Sequence, residues 1–388
     1  MTIGSSELVF TPAGPDDAAF AADVETAARP HAPRDPVSYR YWWSQPDEFV
    51  EFARFIVHRG GERIGFASTE HARWDVQPAR YGAVRGELLP AARTGYNLDA
   101  LLAAMEERVV RDGALMLRTW ANEDDPTRIA TVLARGYAED RRSRRWELDL
   151  LANRDRVLAM TVDSRARMLA EGVRIGTLAD DGDAGVIEKI WRLSEEAGDD
   201  VPTTVPRVPE AMASYVRWVN APEIHRSRFW IARVGDEVVG LSVLGYPPVR
   251  GIVNTEWTAT ARSVRGRGVA RALKCETLAQ ATALGVDRVR TGNDARERAD
   301  PSHQRDDGIP AHRGLDQLPQ AGLTDGARAR SAARPVAATS TPATTRTAPA
   351  TNRELMLSPA STPAAITVTS GVSGNCSEVT EALHRPRT

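Results

Sequence analysis

The chain carries one series of predicted strands and helices twice, at a constant separation. Arg93 in AARTGY corresponds to Arg265 in SVRGRG, and Thr119 in LRTW corresponds to Thr291 in VRTG. Each pair differs by 172 in number, a separation that we call the repeat offset. Solenoid repeats span only about 20–50 residues. The pattern therefore predicts a tandem duplication of one whole domain.

Both copies are predicted to mix strands and helices in the same order. Each opens with a hairpin, at Gly60-Gly61 in the first copy and at Gly235-Asp236 in the second. A further strand follows, then a helix with apolar residues at helical spacing, then another strand. The first copy continues with the helix PTRIATVLARGY and the strand RRWELDL. No matching continuation can be read in the second copy after residue 296.

The chain's charge is balanced, with 50 basic and 52 acidic residues and a net charge of -2. This balance disfavours nucleic acid and anionic membranes as partners. We expect a cytoplasmic protein, because no long apolar run and no signal-peptide pattern are present. The two cysteines, Cys275 and Cys376, and the scattered histidines predict neither a disulfide framework nor a metal site.

The composition changes near the end of the second copy. Residues 297–320 have no usable periodicity, and residues 321–388 are dominated by Ala, Thr, Ser, Pro and Arg. Such a composition cannot bury a core, so residues 321–388 are predicted to form a disordered tail.

The strongest local motif is Arg265-Gly266-Arg267-Gly268-Val269-Ala270, between a predicted strand and an amphipathic helix. Glycines in such a turn let backbone N–H groups approach an anion closely, and the helix N-terminus adds partial positive charge. The motif is neither a P-loop nor a dinucleotide fingerprint. It favours a diphosphate cradle, although Gly-Arg turns also serve as simple connectors.

The segment Thr258–Lys274, TATARSVRGRGVARALK, resembles the acetyl-CoA signature of the GCN5-related N-acetyltransferase (GNAT) family, Arg/Gln-x-x-Gly-x-Gly/Ala. The resemblance covers most of residues 165–296 and, more weakly, residues 1–150, as in tandem members of that family. It implies an α/β (α+β) fold of two tandem domains, each a mixed, mostly antiparallel sheet flanked by helices. The expected domains are residues 1–150, degenerate, and residues 165–296, which carry the acetyl-CoA motif.

The resemblance implies acetyl transfer from acetyl-CoA, as co-substrate and without a metal, to a primary amine of a small molecule or peptide. The expected catalytic residues are Glu256 and Asp200, although a solvent-facing strand carboxylate and a turn aspartate are competing interpretations. Residues that would bind acetyl-CoA lie on one strand, the following turn and the next strand: Thr258, Ala259, Thr260, Arg265, Gly266, Arg267, Gly268, Val269, Ala270 and Asn293.

The first copy departs from the motif. Its turn reads Arg93-Thr94-Gly95-Tyr96-Asn97-Leu98, and Tyr96 stands at the position of Gly268. A Cβ atom there should block close approach to a diphosphate. The first domain is therefore expected to bind acyl-CoA poorly or not at all, and to shape the acceptor side of the second domain.

Residues 297–320 are predicted to be read out of frame. When the codons are read one base out of register, the genetic code permits NAPILHINETMGYRRIAGWISYR, which has the form that the family pattern requires. Its Gly-Tyr falls at residues 308 and 309, each one repeat offset after Gly136 and Tyr137, and the Leu323–Thr324 junction permits a stop codon. A gained nucleotide near codon 297 would explain the Gly-Tyr position and the stop codon, and a divergent natural tail is the alternative.

Two other functional interpretations remain open. The fold could serve a non-catalytic acyl-CoA-binding or regulatory protein, since a fold alone does not fix a function, or the chain could be an inactive frame-shifted remnant. The nine tryptophans could line an acceptor pocket or belong to the core. They include Trp42, Trp43, Trp74, Trp191 and Trp257. The acceptor and the oligomeric state cannot be predicted from the sequence.

Overall fold

The computed structural model describes residues 7–201, 205–294 and 353–359. Among these residues, the first half of the chain contains six strands and four α-helices. In order they are β1 (Val9–Pro12), α1 (Ala18–Ala28), α2 (Pro36–Ser44), β2 (Val50–Arg59), β3 (Glu62–Ala72), β4 (Tyr81–Leu88), α3 (Gly95–Arg111), β5 (Met116–Asn122), α4 (Pro126–Ala134) and β6 (Tyr137–Asp149).

The second half repeats this plan, and one more strand lies close to the C-terminus. Its elements are α5 (Arg154–Ala170), β7 (Arg174–Thr177), α6 (Val186–Gly198), α7 (Met212–Val219), β8 (Phe229–Val234), β9 (Glu237–Gly245), β10 (Val253–Thr260), α8 (Val269–Ala283), β11 (Arg288–Asp294) and β12 (Arg353–Pro359). The bounds of β4 and β10, and likewise those of β5 and β11, differ by the repeat offset at both ends. The predicted duplication is therefore confirmed.

The strands form two mixed, mostly antiparallel sheets that join edge to edge in the order β1-β2-β3-β4-β5-β12-β6-β11-β10-β9-β8-β7. The parallel pairs are β4 with β5 and β10 with β11. The second half of β6 leaves its own domain and pairs antiparallel with β11 from Asp149↔Arg288 to Ser143↔Asp294. The two halves thus share a strand, whereas the sequence suggested separate domains at residues 1–150 and 165–296.

Helix α5 lies largely outside both predicted domains, yet it packs on α8. Thr161 donates its hydroxyl to the Cys275 carbonyl at 3.1 Å, and Arg165 forms an ion pair with the buried Glu276. These contacts assign α5 to the second half. The spacing of apolar residues could not predict that assignment, because the polar composition of the helix gives no clear apolar face.

The strand β12 is an exception within residues 321–388, for which the composition predicts disorder. Arg353–Pro359 pairs antiparallel with β5 on one side and with β6 on the other. Composition indicates whether a segment can form a core of its own. It cannot indicate that the segment will pair with two open strand edges elsewhere in the fold. The rest of the predicted tail, and residues 297–320, lie outside the described residues.

The largest apolar core lies between the two halves, where α1 and α2 meet α6 and α7. In α6, Val186, Ile190, Leu193 and Ala197 recur at helical spacing and face this core. Helix α2 begins at Asp35, whose carboxylate accepts the N–H groups of Val37 and Ser38. Helix α3 covers the other face of the first sheet, and α5 and α8 cover that of the second. No helix in the described ranges is long and apolar enough to cross a membrane.

Candidate functional site

The strands β10 and β11 part midway along their length. They pair at Val253↔Val289 and Asn254↔Arg290, and no later pair joins them among the described residues. Beyond this point β11 stays with β6 while β10 continues along β9 to Thr260. The edge of β10 after Asn254 therefore offers main-chain N–H and C=O groups to an extended ligand that carries amides.

A β-bulge in β10 lies at the start of this opening. The register with β9 shifts between Thr255 and Trp257, so Glu256 is the extra residue. Glu256 is buried, with 3% of its surface exposed. A Cβ atom at Gly245 would clash with Glu256 Oε1, so this carboxylate occupies the space that the glycine leaves.

The turn after β10 has the geometry of an anion cradle. Gly266 and Gly268 adopt left-handed backbone conformations, with φ of +76° and +87°. Gly268 is the N-cap of α8 and provides no side-chain cap. Within the described part of the chain, the backbone N–H groups of Gly266, Gly268, Val269 and Ala270 have no hydrogen-bond acceptor. Four free donors at a helix N-terminus fit a diphosphate.

Arginines surround the cradle, and Asp200 holds two of them. Arg262 donates to both oxygens of Asp200 at 2.6 and 2.9 Å, and Arg265 Nη2 lies 2.6 Å from Asp200 Oδ2. The hydrogen bonds from these two arginines lower the pKa of Asp200 to about 2. Such a carboxylate is a poor general base, and its contacts make Asp200, a predicted catalytic residue, a partner of the two arginines. This pairing could not be predicted from the sequence, because Asp200 and Arg262 are 62 positions apart.

A second acidic residue orients the arginine inside the motif. Arg267 donates through Nε to Glu171 Oε2 at 2.8 Å, and Arg167 donates to Glu171 Oε1 at 3.2 Å. The Arg167 guanidinium also lies 3.5 Å from the place that a Gly268 Cβ would take. Glu171 and Asp200 thus hold four arginine side chains near the cradle, and Glu196 accepts the backbone N–H of Arg262 at 2.7 Å.

The other predicted acetyl-CoA-binding residues lie along the same opening. Thr258 shares a 2.9 Å hydrogen bond with Ser242, and the Thr260 carbonyl accepts Arg265 Nε at 3.4 Å. Ala259 is buried in the core between the halves. Asn293 lies in β11, opposite Arg144 of β6. The hydroxyl of Thr258 is thus engaged with a neighbouring strand, which favours a main-chain role.

A chain of polar side chains lies beside β10 on the face of the sheet covered by α6 and α7. Trp257 donates its indole N–H to Ser194 at 3.2 Å, and Ser194 shares a 2.9 Å hydrogen bond with the buried Tyr215 hydroxyl. Ser194 and Tyr215 were not among the residues predicted from the sequence. The strong amphipathic pattern of α6 was the one available signal, since it places Ser194 beside Leu193 and Ala197 on the buried face.

The predicted tryptophans fall into different environments. Trp191 packs against the core between the halves and donates to the Glu210 carbonyl at 2.9 Å. Trp74 stacks on His71 within the first half, with ring centroids 4.0 Å apart. Trp42 and Trp43 belong to α2 and pack between the halves. Of the five, Trp257 on β10 itself and Trp191 on α6 lie on the elements that border the opening.

Helix α2 is anchored to the second half by a buried carboxylate. Glu223, with no exposed surface, accepts Ser38 Oγ and Trp42 Nε1, each at 2.8 Å. Burial raises the pKa of this carboxyl, despite the two donors. Asp35 in turn accepts the backbone N–H groups of Val249 and Arg250. The first half is thus fixed to the second, and any shaping of the acceptor side would act through these contacts.

In the first half, side chains fill the matching opening between β4 and β5. Thr119 donates to the Val84 carbonyl at 3.0 Å, and Arg128 donates to the Gly86 carbonyl. Arg93 pairs with Glu87 at 2.8 Å and with Asp125, and all of these side chains are largely buried. Gly86 precedes Thr258 by the repeat offset. The acceptor groups that β10 leaves open are therefore already bonded in β4.

The first-half turn is also capped by its own residues. Thr94 accepts the Asn97 N–H at 3.2 Å as the N-cap of α3, and Asn97 Nδ2 donates to the Ala92 carbonyl at 2.7 Å. Tyr96 is 77% exposed. The ionic cluster and the cap thus occupy this region of the first half, whereas the Tyr96 side chain, to which the sequence pointed, lies mostly in solvent.

A metal centre has no candidate in the part of the chain that the structure describes. No group of three or more His, Cys, Asp or Glu residues lies close enough to hold an ion. The sulfhydryl of Cys275 is buried under α5.

No protein-family model matches the sequence, and no curated protein matches it. Solved structures do match the fold. One is a tandem GNAT protein from the clavulanic acid biosynthesis pathway, with TM-score 0.60, 15% identity, and coverage of 91% of this chain and 98% of that chain. Another is a GCN5-related N-acetyltransferase from Sphaerobacter thermophilus, with TM-score 0.53, 16% identity, and coverage of 90% and 95%.

A third similar structure is a GCN5-related glucosamine N-acetyltransferase region of a fungal multi-domain β-N-acetylglucosaminidase. It has TM-score 0.52 and 14% identity, and the match covers 74% of this chain but 35% of that one. At such identities the likeness establishes the fold. The first two matches extend over both halves of the chain.

Proposed function

Since the chain has the fold of tandem GCN5-related N-acetyltransferases, we propose that it transfers an acetyl group from acetyl-CoA to a primary amine. The observation that carries the proposal is the combination, in the second half alone, of an open β10 edge and four free N–H groups at the N-terminus of α8. The first feature suits the amides of a pantetheine arm, and the second suits its diphosphate. The acceptor is a small-molecule or peptide amine.

In this proposal the arginines fix the co-substrate before any chemistry occurs. The main-chain donors of Gly266, Gly268, Val269 and Ala270 bind the diphosphate, and the side chains of Arg265 and Arg267 add positive charge. Asp200 and Glu171 hold those two side chains in place. Both carboxylates therefore act as positioning residues and do not exchange protons.

The amine nitrogen attacks the thioester carbon, a C–N bond forms, and the C–S bond to coenzyme A breaks. A backbone N–H of β10 stabilises the negative charge that develops on the carbonyl oxygen. The amine loses one proton, and we assign its acceptance to Glu256, directly or through a water molecule. The sulfur of coenzyme A leaves as a thiolate and takes a proton from solvent.

Glu256 is favoured as the base by its position. It is buried at the bulge where β10 and β11 part, and the absent side chain of Gly245 makes the room for its carboxylate. The neighbouring Trp257, bonded to Ser194, extends from the same strand toward α6. An amine that entered from the side of α6 and α7 would meet this carboxylate beside the opening.

The test measures two quantities on the full chain. Calorimetric titration gives the affinity for acetyl-CoA, and release of free coenzyme A thiol in the presence of a panel of amines gives turnover. Amine-dependent thiol release, lost in Glu256→Gln while acetyl-CoA still binds, is the expected result. Binding without turnover with any amine would favour a non-catalytic acyl-CoA-binding protein, and absence of binding would contradict both functions.

A further inference from the structure

The joined sheet has one strand position, between β5 and β6, that β12 fills; we call it the central slot. Strand β12 pairs antiparallel with β5 over Thr119–Asn122 and with β6 over Tyr137–Arg144. Without a strand in the central slot, the facing edges of β5 and β6 would lose these main-chain partners. Unpaired edges inside a sheet are costly, so the fold demands an occupant.

The repeat determines which occupant the central slot is built for. On one side of the central slot the next strands are β5 and then β4. On the other side lies β6, followed by β11 and then β10. Strands β5 and β11, and β4 and β10, are counterparts separated by the repeat offset. The central slot is therefore the position of the second-half counterpart of β6.

The register gives the same answer in numbers. In the second half, Asp149 of β6 lies opposite Arg288, and Ser143 lies opposite Asp294. Shifted by the repeat offset, this pairing places residue 321 opposite Met116 and residue 315 opposite Asn122. The structure instead has Glu354 opposite Asn122, well beyond position 315. Residues 315–321 lie outside the described ranges.

We propose that the central slot is built for the strand that the shifted reading frame permits, GYRRIAGWISYR, and that Arg353–Pro359 is a substitute for it. Two observations agree. The codon table permits Gly-Tyr one repeat offset after Gly136-Tyr137, where β6 begins, and the sheet leaves the central slot for a counterpart of β6. The proposal rests on the repeated fold and does not depend on the proposed acetyl transfer.

A substitute strand restores the main-chain pairing but not the helix that precedes β6. In the first half, α4 packs on the core through the buried Val132, and Arg135 beside it pairs with Glu106 of α3 at 2.6 Å. The second half has no counterpart of α4 among its described residues. We therefore expect the chain with the restored frame to be more stable than the printed chain.

The experiment compares four chains by urea unfolding and by amide hydrogen exchange at Thr119–Asn122 and Tyr137–Arg144. They are the full chain, the chain ended after residue 359, the chain ended after residue 352, and residues 1–296 followed by NAPILHINETMGYRRIAGWISYR. The restored chain should have the highest unfolding midpoint and the strongest protection. The chain ended after 359 should match the full chain, and the chain ended after 352 should lose protection at both edges.

A peptide provides a test that needs no new fold. GYRRIAGWISYR, added to the full chain, should raise its unfolding midpoint and bind at least tenfold more tightly than RELMLSP. The proposal is overturned if RELMLSP binds as tightly, or if the restored chain folds but protects β5 and β6 no better than the full chain. A nucleotide sequence whose codons 297–320 do not encode the shifted string overturns it as well.

Discussion

Two glycines shape the candidate site of the second half. Gly245 leaves the space that the buried Glu256 carboxylate fills, and Gly268 keeps the N-terminus of α8 open with a positive φ. In the first half, Thr94 and Asn97 close the corresponding turn with their side chains. The two turns thus differ in a few residues, with glycines in the second half and capping side chains in the first.

Replacement of Glu256 by Gln should lower kcat about 100-fold, because a positioned general base contributes at least that factor. The KM for acetyl-CoA should stay unchanged, since the diphosphate donors lie on the turn after β10. Steady-state kinetics near pH 7 measure both. The exposed Glu237→Gln is the matched control, and a kcat within twofold of the parent protein in E256Q would remove Glu256 from the mechanism.

Gly268→Ala should weaken acetyl-CoA binding about tenfold. The left-handed conformation costs a residue with a Cβ atom about 1–2 kcal/mol, and about 1.4 kcal/mol corresponds to a tenfold change in Kd. The added methyl group would also lie 3.5 Å from the Arg167 guanidinium. Gly176→Ala, with open space around it, is the control. Equal Kd values for the two variants would show that the cradle geometry does not matter.

At the scale of elements, α2 acts as a wedge between the halves. Its side chains pack with α7, and the Tyr41 hydroxyl donates to the Arg217 carbonyl at 2.7 Å. The buried Glu223 carboxylate accepts hydrogen bonds from Ser38 and Trp42 of this helix. A glutamine could accept Trp42 Nε1 through its carbonyl and donate to Ser38 Oγ, so the hydrogen bonds survive without the buried charge.

Glu223→Gln should therefore change how stability depends on pH. The pKa of Glu223 is raised by burial, so the folded state holds this proton more tightly than the unfolded state. The parent protein consequently loses stability as pH rises from the ordinary carboxyl range through the folded pKa. In urea unfolding, the stability of E223Q relative to the parent protein should be greater at pH 7.5 than at pH 5. A constant difference would contradict the buried-charge interpretation, and Glu237→Gln is the control.

At the scale of the whole molecule, one chain should bind one acetyl-CoA. The first-half opening is filled by Arg128, Thr119 and the Arg93 cluster. Calorimetric titration should give a stoichiometry of one, and Tyr96→Gly should leave it at one because these side chains remain. A second site in Y96G would restore the sequence-based explanation, in which the tyrosine alone blocks the first half.

The sequence predicted the repeated plan, the cradle and the altered turn of the first half, because these depend on local patterns. Glycines in a turn and apolar residues at a fixed period can be recognised from a few neighbouring positions in the sequence. The roles of Asp200 and Ser194 could not be predicted, since their partners Arg262 and Trp257 are distant in the chain. The sharing of β6 between halves depends on strand pairing, for which one sequence offers no periodic signal.

The position of β6 has a consequence for synthesis. A ribosome releases β6 long before β11, so residues such as Trp146 must wait for Thr291 before their strand is paired. The edge of β5 waits longer still, until a strand from the end of the chain reaches the central slot. Open edges of this kind are templates for association with other chains, and pairing across a long separation is slow. Nascent molecules of this protein are therefore expected to need chaperone protection until translation ends.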